Sequence, residues 1–565
     1  MAQATSRPAR APARAAQPRN RVSVSADPAA EPVAARTAPA HTSAARFVWG
    51  SLKAVRPTPD ELDLVRAGLG GVVLFTRNVE DVAAVTALIR QLRAAAPGHL
   101  HVGVDQEGGH VVRIREPLTR FPSPMAIAAT RSTRLAFEVA RATARELAAI
   151  GFDVVFAPDL DLAAAPFNPT LGARTFGADP ELVARMAAAS VRGYLAGGIL
   201  PMPKHFPGHG RTPLDSHLAL PIVPGDRADL AAFDLPPYEQ AIAAGAPALM
   251  AAHVVYEAFG DGLPATLSAA ILRDLVRSEL GFAGVLVTDA LVMDAFAAGR
   301  SIPDAGVDSL IAGSDVLMVL DPAAKVVAAV ERATADGRLS ETELAPATAR
   351  LDRYATLAGR NLARARAIVP RIRAAHREVA EAVARRSLTL VRDDGLLPLR
   401  PGTKALLVDV ATSAASPVED PAVVDAAAAP GWPLGASMRR RFPRLAAVRV
   451  GRDDAVAKAR AIEMARTADV VILATRDAYA DPNEQLLVKA LLGLDRPVIR
   501  LALHSPVDLA VGPPAETLIA AYADVPATCE AIADALLIGR KAFPGRLPMP
   551  LPTSALAIPK DEVAA

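Results

Sequence analysis

Residues 71–105 read GVVLF TRNVE DVAAVTALIR QLRAAAPGHL HVGVD. The run Gly71 to Phe75 is short, apolar and rich in branched side chains, which predicts a strand. Val82 to Ala95 then repeats its apolar residues at helical spacing. His101 to Asp105 is again a short apolar run, and its last residue is a carboxylate. Strand, helix and strand in this order predict a parallel βαβ unit.

The same alternation extends in both directions. Upstream, Arg46 to Gly50 (RFVWG) is followed by an amphipathic helix over Pro59 to Ala67. Downstream come Phe152 to Phe156, Gly198 to Pro201, Ala248 to Ala252, Gly284 to Thr288 and Asp315 to Leu320, with a helix over Thr133 to Ile150 after the third strand. Eight strands within roughly 280 residues fit a closed (β/α)₈ barrel better than an open sheet. A charged helical stretch, Glu341 to Ala382, leads out of it. A second set of strands follows at Leu388 to Val391, Ala405 to Val410, Ala446 to Val450, Val470 to Thr475, Pro497 to Leu503 and Leu518 to Tyr522. Helices over Asp454 to Arg466 and Glu484 to Leu492 lie among them, and Ser413 to Gly435 reads as a surface loop. The fold class is therefore α/β: a TIM-type barrel followed by a smaller α/β sandwich domain of ordinary size.

Length and composition agree with this plan. A chain of 565 residues exceeds one ordinary core. Hydrophobic and charged fractions of 51% and 22% are those of a globular protein. The net charge of +2 points to neither nucleic acid nor an anionic membrane, and no uncharged apolar run reaches spanning length. Cys529 is the single cysteine; it fits a reducing compartment. The first 45 residues carry six Arg against Asp27 and Glu31 and almost no large apolar side chains, so a disordered tail is expected. They lack the apolar core of a secretory signal. A transit-like leader and a start codon set too early are the alternatives. Together these features predict a cytoplasmic protein.

Polar residues terminate five of the eight strands. Asp105 ends the third and Asp159 follows the fourth. Lys204 and His205 follow the fifth, His253 the sixth and Asp289 the seventh. In a parallel barrel these ends converge on one face, where active sites form. The densest polar segment is KHFPGHGRTPLDSHLAL, Lys204 to Leu220. His205 and His209 have the i, i+4 spacing of a helical metal pair, but Pro207 and Gly208 between them break a helix. No metal site is expected. Asp215-Ser-His217 pairs a carboxylate with an imidazole, as a general acid/base or as a solvated loop. Asp289, in GVLVTDALVMDA, follows an apolar run, where a carboxylate is either used or caps the next helix. Neither a serine-hydrolase elbow nor a nucleotide-binding glycine loop stands at a strand-to-helix junction, and no cofactor is expected. Carboxylate and histidine chemistry at a barrel mouth suits sugars.

Five motifs carry a specific resemblance: VDQEGG (Val104 to Gly109), KHFPGHG (Lys204 to Gly210), DSH (Asp215 to His217), MAAHVVY (Met250 to Tyr256) and VTDALVMDA (Val287 to Ala295). In order and spacing they resemble glycoside hydrolase family 3, in its bacterial β-N-acetylglucosaminidase branch of cell-wall recycling. SLTLVRDDGLLPL (Ser387 to Leu399) and FPGRLPMPLP (Phe543 to Pro552) resemble the family's second domain. With the composition-defined tail over 1–45, the domain plan is a catalytic barrel over 46–365, a helical linker over 366–384 and the second domain over 385–565. The resemblance implies Asp289 as nucleophile and His217, backed by Asp215, as acid/base. It implies sugar contacts at Asp105, Arg113, Arg174, Lys204 and His205, with His253 as a wall of the site. Glu107, Gly108 and Gly109 read as a tight turn that holds Asp105. The chain departs from the family at His110, where Arg is common, and at Val112, Thr175 and Ala290. The implied reaction is retaining hydrolysis of terminal N-acetylglucosamine from a small carbohydrate or muropeptide. Phosphorolysis, β-glucosidase activity and catalytically silent muropeptide binding are the alternatives, and oligomeric state is not legible.

Overall fold

The computed structural model describes residues 43–165, 167–168, 170–212, 220–291, 301–365, 370–410, 432–451 and 454–552. They belong to one compact unit that begins at His41. Residues 1–42 of the expected N-terminal tail and most of the Ser413–Gly435 loop lie outside the described residues; Ala44 and Ala45, also assigned to the tail, are instead buried in a short helical turn, Ala44–Phe47.

All eight expected barrel strands form, seven with shorter bounds and the first shifted to end at Ser51. They are β1 (Val48–Ser51), β2 (Gly71–Leu74), β3 (His101–Val104), β4 (Val154–Val155), β5 (Leu200–Pro201), β6 (Ala248–Ala251), β7 (Val285–Thr288) and β8 (Leu317–Met318). Six of them make one parallel sheet in the order β8-β1-β2-β3-β4-β5, and β6 pairs in parallel with β7. Two parallel bridges join these parts. Phe206, just beyond β5, pairs with Ala251 of β6, and Val287 of β7 pairs with Val316 at the head of β8. The ring is thereby closed.

The strands read as unbroken apolar runs because barrel strands are buried on both faces; β2, β3, β6 and β7 are buried at every position. Strand glycines make room for the largest rings. A Cβ on Gly71 would lie 2.7 Å from the Trp49 ring, and one on Gly103 would meet Phe156 at 2.4 Å. Such overlap costs about 1–3 kcal/mol. Helices wrap the ring, beginning with Pro59–Arg66, Val82–Ala95, Thr133–Ile150 and Pro180–Gly197. The first starts at a capping box, with Thr58 and Glu61 satisfying each other's backbone N–H groups. The Thr133–Ile150 helix stops at Gly151, whose φ of 116° suits glycine.

The charged stretch expected as one helix over Glu341 to Ala382 is two, Glu341–Leu362 and Pro370–Ser387. Residues 363–365 are not helical, and proline suits the first position of the second helix. The second of these helices packs on the barrel: His376 Nδ1 lies 2.7 Å from Glu146, which is buried within Thr133–Ile150.

The second sheet comprises β9 (Thr389–Asp393), β10 (Ala405–Val410), β11 (Ala446–Val450), β12 (Val470–Thr475), β13 (Val498–Ala502) and β14 (Thr517–Ala520). Its order is β9-β14-β13-β12-β10-β11; only β9 runs antiparallel. The five parallel strands are doubly wound, and the strand order reverses beside β10.

Candidate active site

The site grows from the carboxyl ends of the barrel strands. Asp105 follows β3. Its Oδ1 accepts from Lys204 Nζ at 2.9 Å and its Oδ2 from Arg113 Nη2 at 3.3 Å. The chain then turns through a hairpin of Gln106–Gly108 and Val111–Val112. Gly108 and Gly109 adopt φ of 102° and 60°, a region that L side chains rarely enter. Gln106 locks the turn by accepting from the Arg113 and Ile114 amides and donating to the Ile114 carbonyl.

Glu107 does more than shape this turn, which corrects the sequence reading. Its oxygens take both ends of the Arg174 guanidinium at 2.9 Å each, and Lys204 Nζ lies 2.6 Å away. Burial alone would raise the Glu107 carboxyl. Arg174 and Lys204 overcome that and hold it well below the usual carboxylate range. Lys204 is correspondingly pushed up: burial would lower it, but Asp105 and Glu107 outweigh burial. Arg174, Lys204 and Arg113 thus stand as fixed cations around two carboxylates.

His205 faces the nucleophile candidate. Its Nε2 lies 4.0 Å from Asp289 Oδ2, and its Nδ1 lies 2.6 Å from Asp161 Oδ2. Burial pulls the His205 imidazole down to about 4 against the pull of Asp159 and Asp289, so the ring is neutral near pH 7. Asp161 Oδ1 also accepts from the His205 and His209 amides and from the Tyr238 hydroxyl. A carboxylate so surrounded by donors accepts from Nδ1–H. The lone pair of His205 is then on Nε2, facing the mouth, where a sugar hydroxyl can donate to it. Asp161 was missed in the sequence. Its signal was there in the Asp159-Leu-Asp161 alternation after the fourth strand.

Asp289 follows β7, where its amide donates to Ala251 O at 3.0 Å. The Ala290 amide donates to Asp289 Oδ1 at 2.7 Å. His253 braces the same turn. A carbonyl only accepts, so His253 Nε2–H donates to Ala290 O (3.1 Å), and Nδ1 takes the Thr266 hydroxyl at 2.9 Å. In this geometry His253 supports the residue after Asp289. The structure therefore brings Asp105, Arg113, Arg174, Lys204, His205, His253 and Asp289 together around one mouth. Asp215 and His217 lie outside the described residues.

Asp159 lies beneath, 3.5 Å from Arg174 Nη2. Burial, then Asp161, pushes its carboxyl up to about 7. Asp159, Asp161 and His205 have donor atoms spaced to hold a cation, as do His99, His101 and Asp153 at the opposite end of the barrel. At each set an arginine already contacts a carboxylate, Arg174 on Asp159 and Arg93 on Asp153, and its charge opposes a metal ion.

The family model for the glycosyl hydrolase family 3 N terminal domain matches residues 50–354, more than half of the chain. The chain belongs to glycosyl hydrolase family 3. Among relatives, a protein named beta-hexosaminidase A from Pseudoalteromonas piscicida is 34% identical over 387 residues, covering 62% of this chain and 64% of the relative. A beta-hexosaminidase of Stenotrophomonas maltophilia is 41% identical over 272 residues, 47% of this chain and 80% of the relative. A solved family 3 beta-N-acetylglucosaminidase from Paenibacillus is 30% identical with a TM-score of 0.84, over 90% of this chain and 98% of that one. The last match extends across both the barrel and the second sheet. Among the described residues, no helix is long and apolar enough to cross a membrane.

Proposed function

We propose that this chain is a retaining β-N-acetylhexosaminidase that releases terminal N-acetylglucosamine from peptidoglycan-derived glycosides in the cytoplasm. The observation that carries the reading is the mouth itself. Asp289 stands 4.0 Å from a neutral His205, and Asp105, paired with Lys204 and Arg113, stands at the carboxyl end of another strand of the same ring. That is a carboxylate next to an array of donors and acceptors matched to sugar hydroxyls. The names of the relatives favour an N-acetylhexosamine as the sugar.

In the proposed mechanism Asp289 attacks the anomeric carbon while protonated His217 assists the departing oxygen. A glycosyl–Asp289 ester forms, neutral His217 activates water, and configuration is retained. Asp215 orients the His217 ring. Asp105, Arg113, Lys204 and His205 hold the sugar hydroxyls, and Glu107 keeps Arg174 and Lys204 in place.

A slow fluoroglycoside of the substrate sugar tests the nucleophile: an intermediate trapped on Asp289 supports the reading, and a label on another residue overturns it. The acid/base is tested by His217→Ala. The loss should be far larger on a disaccharide than on a nitrophenyl glycoside, whose leaving group needs no proton. Azide should restore turnover on the activated substrate and yield a glycosyl azide. Equal losses on both substrates without azide rescue would remove His217 from the role.

A further inference from the structure

The second domain touches the active-site supports through side chains that the proposed mechanism does not use. His110, in the hairpin turn beside Glu107, stacks on His504, which follows β13; the ring centroids lie 4.6 Å apart at 25°. His504 is 3% exposed, and its Nδ1 lies 2.9 Å from Asp477 Oδ2. Asp477, just past β12, also accepts from the Ser505 amide. It sits in the left-handed region at φ 55°, which only glycine and the short polar residues enter readily. A Cβ on Gly172 would come within 4.0 Å of Asp477 Oδ1, so Asp477 also borders the Gly172–Arg174 turn. The other side of the hairpin turn is held as well: Gly109 packs on Ser123, whose hydroxyl donates to Tyr522 O of the second domain at 2.7 Å.

Strand ends at the reversal point of a doubly wound sheet are where such folds commonly bind ligands. Here that region is engaged with the barrel. Arg476 is paired with Asp409 and Asp524, and the neighbouring Asp477 and His504 face the hairpin. Burial, followed by the adjacent His504, lowers the His110 imidazole to about 3, so the stack brings no ionised His110 into the interface.

We propose that Asp477 and His504 are positioning residues for the active site. His504 stacks on His110 and Asp477 fixes the His504 ring, and together they hold the Gln106–Val112 hairpin in the place from which Glu107 grips Arg174 and Lys204. Taken as an effect on catalysis, this rests on the glycosidase reading above. The second domain then acts on sugar binding without touching sugar, and a barrel without it would bind its substrate less well.

Four single variants of the full chain and one double variant test this, with kcat and KM for an aryl N-acetylglucosaminide read separately. His504→Ala and His110→Ala should each raise KM about tenfold and change kcat less than about threefold, because a shifted support weakens binding before chemistry. The double variant should be no worse than the weaker single, since both remove one stack. Asp477→Gly keeps the left-handed backbone and loses the carboxylate, so it should behave like His504→Ala. Asp477→Asn should stay within about twofold of wild type, because its amide oxygen still accepts from His504. Hydrogen exchange over residues 106–113 should speed up at least tenfold in His504→Ala and stay unchanged at residues 153–156. This readout decides the proposal even if the wild type proves inactive on N-acetylglucosaminides, which would overturn the glycosidase reading alone. The stack is probed from both domains, so a variant that fails to fold leaves its partner to decide. Folded variants with wild-type KM and unchanged hairpin exchange, or additive losses in the double variant, would overturn the proposal.

Discussion

The two ends of the barrel use the same residue types for opposite purposes. Strands β3 and β4 carry a histidine–aspartate cluster at the amino-terminal floor and contribute aspartates to another at the carboxyl-terminal mouth. At the floor, Asp153 is closed in by Arg93 Nη2 (3.0 Å), the Val102 amide (2.6 Å), His99 Nε2 (2.8 Å) and His101 Nδ1 (3.0 Å). The Trp49 and Tyr354 rings pack on His101. Burial would raise the Asp153 carboxyl, but its bonds to His101 and His99 hold it well below the usual range. At the mouth, Asp161 fixes His205 in the same way, yet the outer ring nitrogen of His205 faces Asp289. The side chains of Asp105 and Asp289 keep 17% and 18% of their surface exposed. A carboxylate whose acceptor sites are all met by protein stabilises the fold. One that keeps surface at the mouth is available to substrate.

Four substitutions test this contrast. The largest effect is expected for Asp289→Asn. Its kcat/KM should fall about 10⁴-fold, or about 5 kcal/mol of transition-state stabilisation, with the melting temperature unchanged. A variant that also melts early would give the mouth a stabilising role like that of the floor. Asp153→Ala should do the reverse. Removing the buried carboxylate strands Arg93 and two imidazoles, and about 3–5 kcal/mol of stability should go. Urea unfolding measures the loss, while kcat/KM per folded molecule should stay within about threefold of wild type. A catalytic defect there would erase the distinction.

Asp161→Asn should fall between them. An amide no longer enforces the Nδ1–H form of His205, so kcat/KM should drop about 30-fold, near 2 kcal/mol, with a melting temperature lowered less than in Asp153→Ala. Wild-type rates would show that the tautomer is not used. Asp159→Asn should give the smallest effect, seen only in pH dependence. The folded carboxyl is raised from 3.8 to about 7. Its contribution to stability is therefore fully present below about pH 4 and is lost as pH rises toward 7. Between about pH 4.5 and 7.5 the wild type should lose a few degrees of melting temperature that the variant retains. Parallel profiles for the two proteins would mean that Asp159 is ionised in the fold.

The barrel was legible because its strands are buried on both faces and stand out as unbroken apolar runs between helical periods. Their bounds were less so. Phe152 to Phe156 pairs only at Val154–Val155, because pairing length depends on the neighbouring strand. The charged stretch after the barrel read as one helix since its periodicity is continuous, while Pro370 starts a second. In the site, strand ends picked out Asp105, Lys204, His205, His253 and Asp289. They did not reveal that Glu107 grips Arg174 and Lys204 or that Asp161 fixes His205.

The α/β class, the eight-fold alternation and the face on which polar strand ends meet are written in the order of residues, since each follows from local burial pattern and chain direction. Tertiary structure alone decided which partners those polar groups take. Glu107 and Arg174 are 67 residues apart and Asp161 and His205 are 44 apart, and His504 reaches His110 from another domain. Such pairs are selected by ring closure and domain docking, which bring desolvated charges within bonding distance, and no local pattern encodes that distance.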